Sequence, residues 1–175
     1  MNSGVVTCFA YGQTGSGKTY TMNQMQGYLV DDLFALVKGS CEVAVSFFEI
    51  YAGRCLDLLN DKNVLNILED KSNNIQIHGI VEKAAGSGKE LMEIMDQANK
   101  ARTTHSTAAN DTSSRSHSIC QVQIRRGGSE VGKLVLVDLA GSERAQDTQS
   151  NNRQRRMEGA EINKRYKCDK VVCWL

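Results

Sequence analysis

At 175 residues the chain is about the size of one ordinary domain, and 41% hydrophobic with 23% charged residues is the balance of a soluble, core-forming protein, which excludes a disordered tail or a fibre. Its 21 Lys and Arg against 20 Asp and Glu leave a net charge of +1, so no global field recruits nucleic acid or lipid headgroups. The apolar runs stop far short of the roughly 20 residues of a bilayer span, and MNSGVVTCFAYG carries neither a basic flank nor a cleavage site, so neither a membrane nor a secreted protein is expected.

The six cysteines, Cys8, Cys41, Cys55, Cys120, Cys168 and Cys173, contain no CxxC pair, and His78, His105 and His117 are not at zinc-ligand spacing from them. They read as reduced, cytosolic thiols. Proline is absent, where average usage of about 5% leads one to expect several, a composition more natural for a piece of a domain than for a whole one.

Val5 to Tyr11 is a short β-branched and aromatic run that ends in glycine, the pattern of a buried strand. It leads directly into a glycine-rich loop. After Gly27, the apolar residues Leu29, Val30, Leu33, Leu36 and Val37 recur at helical spacing until Gly39. Glu42 to Tyr51 is a strand whose alternation changes phase at Phe48 and Ile50, which allows a bulge. Leu56 to Leu68 and Ile75 to Val81 are small strands between polar turns. Ser87-Gly88-Lys89-Glu90, followed by Leu91, Ile94, Met95 and Ala98, is a capping box opening an amphipathic helix that reaches about Arg102. Ser118 to Arg125 alternates, Gly127-Gly128-Ser129 turns, and Lys133 to Leu139 answers with an almost continuous apolar run, a hairpin whose second strand lies in the middle of a sheet. Strands interleaved with helices predict an α/β fold.

Gly12-Gln13-Thr14-Gly15-Ser16-Gly17-Lys18-Thr19 satisfies G-x-x-x-x-G-K-[ST] directly after a predicted strand. Glycines there let backbone N–H groups turn toward phosphate oxygens, Lys18 supplies a charge to the β/γ-phosphates, and Thr19 can ligate Mg²⁺. A second GSGK, Gly86 to Lys89, is a decoy: Lys83 stands where the first glycine belongs and Glu90 where Ser or Thr belongs, so no phosphate role is assigned to it.

A phosphate loop alone binds nucleotide, whereas hydrolysis also needs a metal-side carboxylate and groups that sense the γ-phosphate and place a water. Asp138 ends the buried apolar run, where a Walker-B aspartate is expected, and Ala140-Gly141-Ser142-Glu143 follows. Gly141 can offer its N–H to the γ-phosphate because no side chain intervenes. The remaining polar cluster is Asn110-Asp111-Thr112-Ser113-Ser114-Arg115-Ser116-His117, by composition no more than a hydroxyl-rich loop before a strand.

GQTGSGKT, NDTSSRSH and DLAGSE, in that order and spacing, resemble the P-loop, switch I and switch II of the kinesin motor domain, and the likeness runs from Asn2 to Lys164. FFEIYAGRCLDLLND (Phe47 to Asp61) and RQRRMEGAEINK (Arg153 to Lys164) look most like the kinesin-13 class, whose members depolymerise microtubules. The resemblance implies a P-loop NTPase with a mixed, mostly parallel central sheet and helices on both faces. It also implies an ATP- and Mg²⁺-dependent ATPase stimulated by microtubules, and a cytoplasmic, cytoskeletal location. Any homodimer would form through regions outside this sequence. Residue by residue, Ser114 would reach Mg²⁺ when switch I closes, Asp138 would meet the metal through water, Arg115 would pair with Glu143 to latch the switches, and Asn110 and Ser113 would help hold the lytic water.

The resemblance fails at both ends. The family's first strands and its Arg-x-Arg-Pro loop would precede Asn2, and after Lys164 the stretch Arg165 to Leu175 replaces a Ser-Leu-Leu-rich helix. The expectation is therefore a partial motor domain over 1–164, incomplete at both ends, with a divergent tail over 165–175. From Arg153 to Lys170, seven Lys or Arg stand against three acids, a local excess that would suit tubulin's acidic surface. Two rival readings stand beside it: a non-catalytic fragment that binds nucleotide weakly or only a protein partner, and a GTP-binding switch. The second needs an Asn-Lys-x-Asp loop, which the sequence lacks.

Overall fold

A computed structural model describes residues 4–37, 39, 41–72, 75–103 and 115–142. Chain order is β1 (Gly4–Ala10), α1 (Lys18–Val37), β2 (Glu42–Tyr51), β3 (Arg54–Asp57), β4 (Asn63–Glu69), β5 (Ile75–His78), β6 (Lys83–Ala85), α2 (Gly88–Thr103), β7 (His117–Arg126) and β8 (Ser129–Asp138). The strands line up as β1-β8-β7-β2-β3-β4-β5, with β6 beside β2.

The fold is α/β with a mixed sheet, as expected, but the balance of directions differs. Among the described residues only β1 and β8 pair in parallel, while β2 pairs antiparallel with β3, β6 and β7, and β7 with β8. The connections explain this. Ala52-Gly53 and Gly127-Gly128 sit at positive φ in two-residue turns, which join only antiparallel neighbours. A parallel neighbour needs a long crossover instead.

The phase change in β2 does not become a bulge. Glu42 to Ile50 pair with Arg125 to His117 in unbroken register, and among the described residues the one irregularity lies between Ile124 and Arg125 in the β7–β8 ladder. β2 is flanked and covered on both faces, so apolar residues of both parities are buried. Val43, Val45 and Phe47 join one core with Cys120 and Leu136, while Phe48 and Ile50 join the other with Ile119 and Val137.

Both described helices pack on the first of these cores, through Met22 and Val30 of α1 and Leu91, Met95 and Ala98 of α2. The expected helices on both faces are therefore seen on one face among the described residues. On the other, Ile67, Ile77 and Ile80 pack against the second core. Ile67 lies in β4 and Ile77 in β5, so the small β-ribbon after β3 covers part of that face. α1 starts at the P-loop lysine and runs through Gly27, and Leu36, expected on its apolar stripe, is 80% exposed.

The capping reading of the decoy holds. Ser87 Oγ accepts from Glu90 N–H at 3.2 Å, and Glu90 Oε2 accepts from Gly86 N–H at 2.8 Å. A Cβ on Gly88 would meet Val30 Cγ1 at 3.1 Å, so that glycine serves close helix packing.

Candidate functional site

β1 and β8 deliver Ala10 and Asp138 to the same end of the sheet as paired neighbours, and the glycine loop springs from that end into α1. Gly15 and Gly17 adopt φ of 78° and 84°, the left-handed region that glycine enters at no steric cost. A side chain at Gly12 would collide with Ser16 Oγ at 2.7 Å. The loop closes on itself through Ser16 N–H donating to Gln13 O at 3.2 Å, and Thr21 N–H donates to Gly17 O at 2.9 Å as α1 begins. Lys18 Nζ donates to the carbonyls of Gly12 and Gln13 at 2.9 and 2.8 Å, so its ammonium is held across the mouth of the loop. The remaining loop residue named above, Thr14, is exposed beside Gln13.

Behind the loop lies a buried polar cluster. Thr19 Oγ1 donates to Asp138 Oδ2 at 2.6 Å, and Arg102 Nη1 donates to the same oxygen at 2.6 Å. Arg102 is 3% exposed and Asp138 5% exposed. Arg102 also donates from Nε to Ser116 Oγ at 3.2 Å and from Nη2 to Ser116 O at 2.8 Å. Asp138 Oδ1 is buried with no hydrogen-bond partner among the described residues. A hydroxyl and a carboxylate with a spare buried oxygen are hard ligands of the kind Mg²⁺ prefers, so the residues present fit that ion. Thr19 and Asp138 would hold it, directly or through water.

The segment after β8 is tied down donor by donor. Leu139 N–H donates to Ala10 O at 3.2 Å, Ala140 N–H to His117 Nδ1 at 3.1 Å, and Ser142 N–H to Gly12 O at 3.0 Å. Gly141 is buried between them, and its N–H has no partner among the described residues.

The structure thus brings together Lys18, Thr19, Asp138 and Gly141, with Arg115 at the start of the segment leading to β7. Asn110, Ser113, Ser114 and Glu143, and with them the Arg115–Glu143 latch, lie outside the described residues, as does the basic run 153–170. Sequence reasoning missed Arg102. A signal was present: Leu91, Met95 and Ala98 set a buried stripe, and Arg102 continues it four residues on, so a guanidinium on an apolar face had to find an acid. It missed Glu49 likewise. Glu49 is 1% exposed in β2 and pairs with Lys62 at 3.2 Å. Across the sheet Glu49 faces Ser118, which faces Asp138, so one polar row crosses β2, β7 and β8 above the apolar row Phe47, Cys120 and Leu136.

The chain is similar to known proteins in both sequence and fold. A sequence profile of the kinesin motor domain matches residues 1–168. A curated relative, "Diatom spindle kinesin-1" of Cylindrotheca fusiformis, is 48% identical over 164 residues, covering 91% of this chain and 26% of that protein. A solved structure described as "Structure of a fast kinesin: Implications for ATPase mechanism and interactions with microtubules" superposes with a TM-score of 0.74 at 35% identity, over 92% of this chain and 51% of that one. The chain thus spans about half the solved relative and about a quarter of the curated one.

Proposed function

This chain belongs to the kinesin motor-domain family, and from that premise we propose that it binds Mg-ATP at the P-loop and hydrolyses it in a cycle coupled to microtubules. The observation that carries the reading is the convergence of Lys18, Thr19 and Asp138 on one end of the sheet, with one carboxylate oxygen and one backbone N–H, that of Gly141, left uncommitted among the described residues. Bound Mg²⁺ would supply charge neutralisation of the β- and γ-phosphates. The chain's own part is to cradle phosphate with loop N–H groups and Lys18, to orient Thr19 through Asp138, and to present Gly141 N–H to the γ-phosphate. Arg115 and Glu143 act as the switch latch, Ser114 as the switch I metal ligand, and Asn110 and Ser113 as water-holding groups, in the roles the family resemblance implies.

Microtubules are the proposed partner, supported by family membership and by the basic excess over Arg153 to Lys170. Within the family we place the chain nearest kinesin-13, on the stretches Phe47 to Asp61 and Arg153 to Lys164. Calorimetry with Mg-ATP on the purified chain tests the first step. Phosphate release with and without microtubules tests the second, and shortening of stabilised microtubules tests the class. Failure to bind Mg-ATP sinks the ATPase reading and leaves the non-catalytic one.

A further inference from the structure

We propose that His117 is a positioning residue for the γ-phosphate contact: its imidazole takes Ala140 N–H and thereby sets the direction of the Gly141 N–H. The inference rests on the nucleotide-binding reading above.

The argument starts where β7 and β8 part. Their ladder ends at the Ser118–Asp138 pair. Beyond it two main-chain groups are captured by side chains: Ser116 O accepts from Arg102 Nη2 at 2.8 Å, and Ala140 N–H donates to His117 Nδ1 at 3.1 Å. Arg102 and His117 thus hold open a fork from which the segment through Arg115 and the segment through Gly141 diverge. His117 is 3% exposed and Ala140 1% exposed, so water does not compete for this hydrogen bond.

The chemistry of the bond is constrained. A backbone N–H is a donor only, so His117 Nδ1 must carry a lone pair, and a neutral ring then carries its proton on Nε2. Gly141 is bracketed by two anchored donors, Ala140 N–H on His117 and Ser142 N–H on Gly12 O. Glycine's backbone is otherwise the freest in the chain. The two anchors fix the Leu139–Ala140 and Gly141–Ser142 peptide planes on either side of the Ala140–Gly141 plane that carries the Gly141 N–H. Removing the upstream one releases the first plane, so the middle plane is held from one side only and the loop loses its aim at the third phosphate. The first two phosphates depend on the P-loop and Lys18, which His117 does not touch.

The test uses the 175-residue chain with Mg-ADP and with a non-hydrolysable Mg-ATP analogue, each titrated by calorimetry. His117→Leu, which keeps bulk and removes the acceptor, should weaken the triphosphate analogue about tenfold, the size of one lost hydrogen bond, and leave Mg-ADP within about twofold. His117→Asn, whose Oδ1 stands near the position of Nδ1, should recover most of that loss. Full analogue affinity in His117→Leu overturns the proposal. So does equal weakening of both nucleotides, or an Asn variant as poor as the Leu variant. Nitrogen NMR of the wild-type imidazole supplies a readout that needs no variant: an unprotonated Nδ1 with a proton on Nε2 is expected, and a protonated Nδ1 overturns the proposal. A wild-type chain that binds neither nucleotide refutes the P-loop reading itself, and the positioning role with it.

Discussion

Arg102 Nη1 lies 2.6 Å from Asp138 Oδ2, and both side chains are buried, at 3% and 7% exposure. The pair joins the end of α2 to the end of β8, and through Ser116 it reaches the segment that precedes β7. A buried ion pair adds little net stability, because desolvation offsets the attraction, but breaking one strands a charge in a low-dielectric interior.

Arg102→Ala is therefore expected to destabilise the chain by about 3–5 kcal/mol, a large share of a total domain stability of about 5–15 kcal/mol. Urea denaturation followed by circular dichroism checks this. A loss below about 1 kcal/mol would show that water reaches Asp138 and that the pair is not closed.

Lys18→Ala is expected to abolish Mg-ATP binding in calorimetry, because the ammonium held on the Gly12 and Gln13 carbonyls is the one cation the P-loop itself supplies. Wild-type affinity in this variant would dismiss the P-loop as the nucleotide site.

Arg115→Ala and Glu143→Ala should behave differently from Lys18→Ala. A latch that forms only in the closed state leaves ground-state binding nearly intact and slows hydrolysis severely. Single-turnover kinetics separates the two, and lost binding with normal turnover per bound nucleotide would refute these roles.

Burial pushes the Cys55 thiol up from 9.0 to about 12, aided by the negative charge of Asp57, and burial alone does the same for Cys120. Both should resist iodoacetamide at pH 8, while the half-buried Cys8 and Cys41 react. The sign of the pH effect follows. Between pH 9 and 12 the unfolded chain has ionised these thiols and the folded chain has not, so the folded state binds more protons and loses stability as pH rises through that window. Thermal melts from pH 8 to 11 should fall, and Cys55→Ser or Cys120→Ala should flatten the fall.

β1 pairs on one side only among the described residues, and Val5, Val6 and Phe9 are 54%, 63% and 49% exposed on a strand that carries no charge. Such an edge is a template for pairing between chains. Val6→Lys should lower self-association in sedimentation velocity without lowering the melting temperature. Unchanged self-association would place the sticky surface elsewhere.

The local features were legible in the sequence because each is decided within a few residues. The P-loop follows from glycine positions, the start of α2 from Ser87 and Glu90, the β7–β8 turn from Gly127-Gly128, and the placing of Asp138 from the apolar run before it. What lay beyond reach were the partners that packing assigns. Arg102 is 36 residues from Asp138, and Thr19 is 119 residues from it. Periodicity says which face of a helix or strand is apolar, but it does not say which other element covers that face. So the change of phase in β2 read as room for a bulge, and only the sheet order showed a regular strand covered on both sides. The directions of the strands, the placing of both described helices on one face, and the capture of Ala140 N–H by His117 belong to the same class. Each is a choice among neighbours that are distant in sequence, and the tertiary structure makes it by burying apolar area and by giving buried charges such as Arg102, Asp138 and Glu49 an opposite charge.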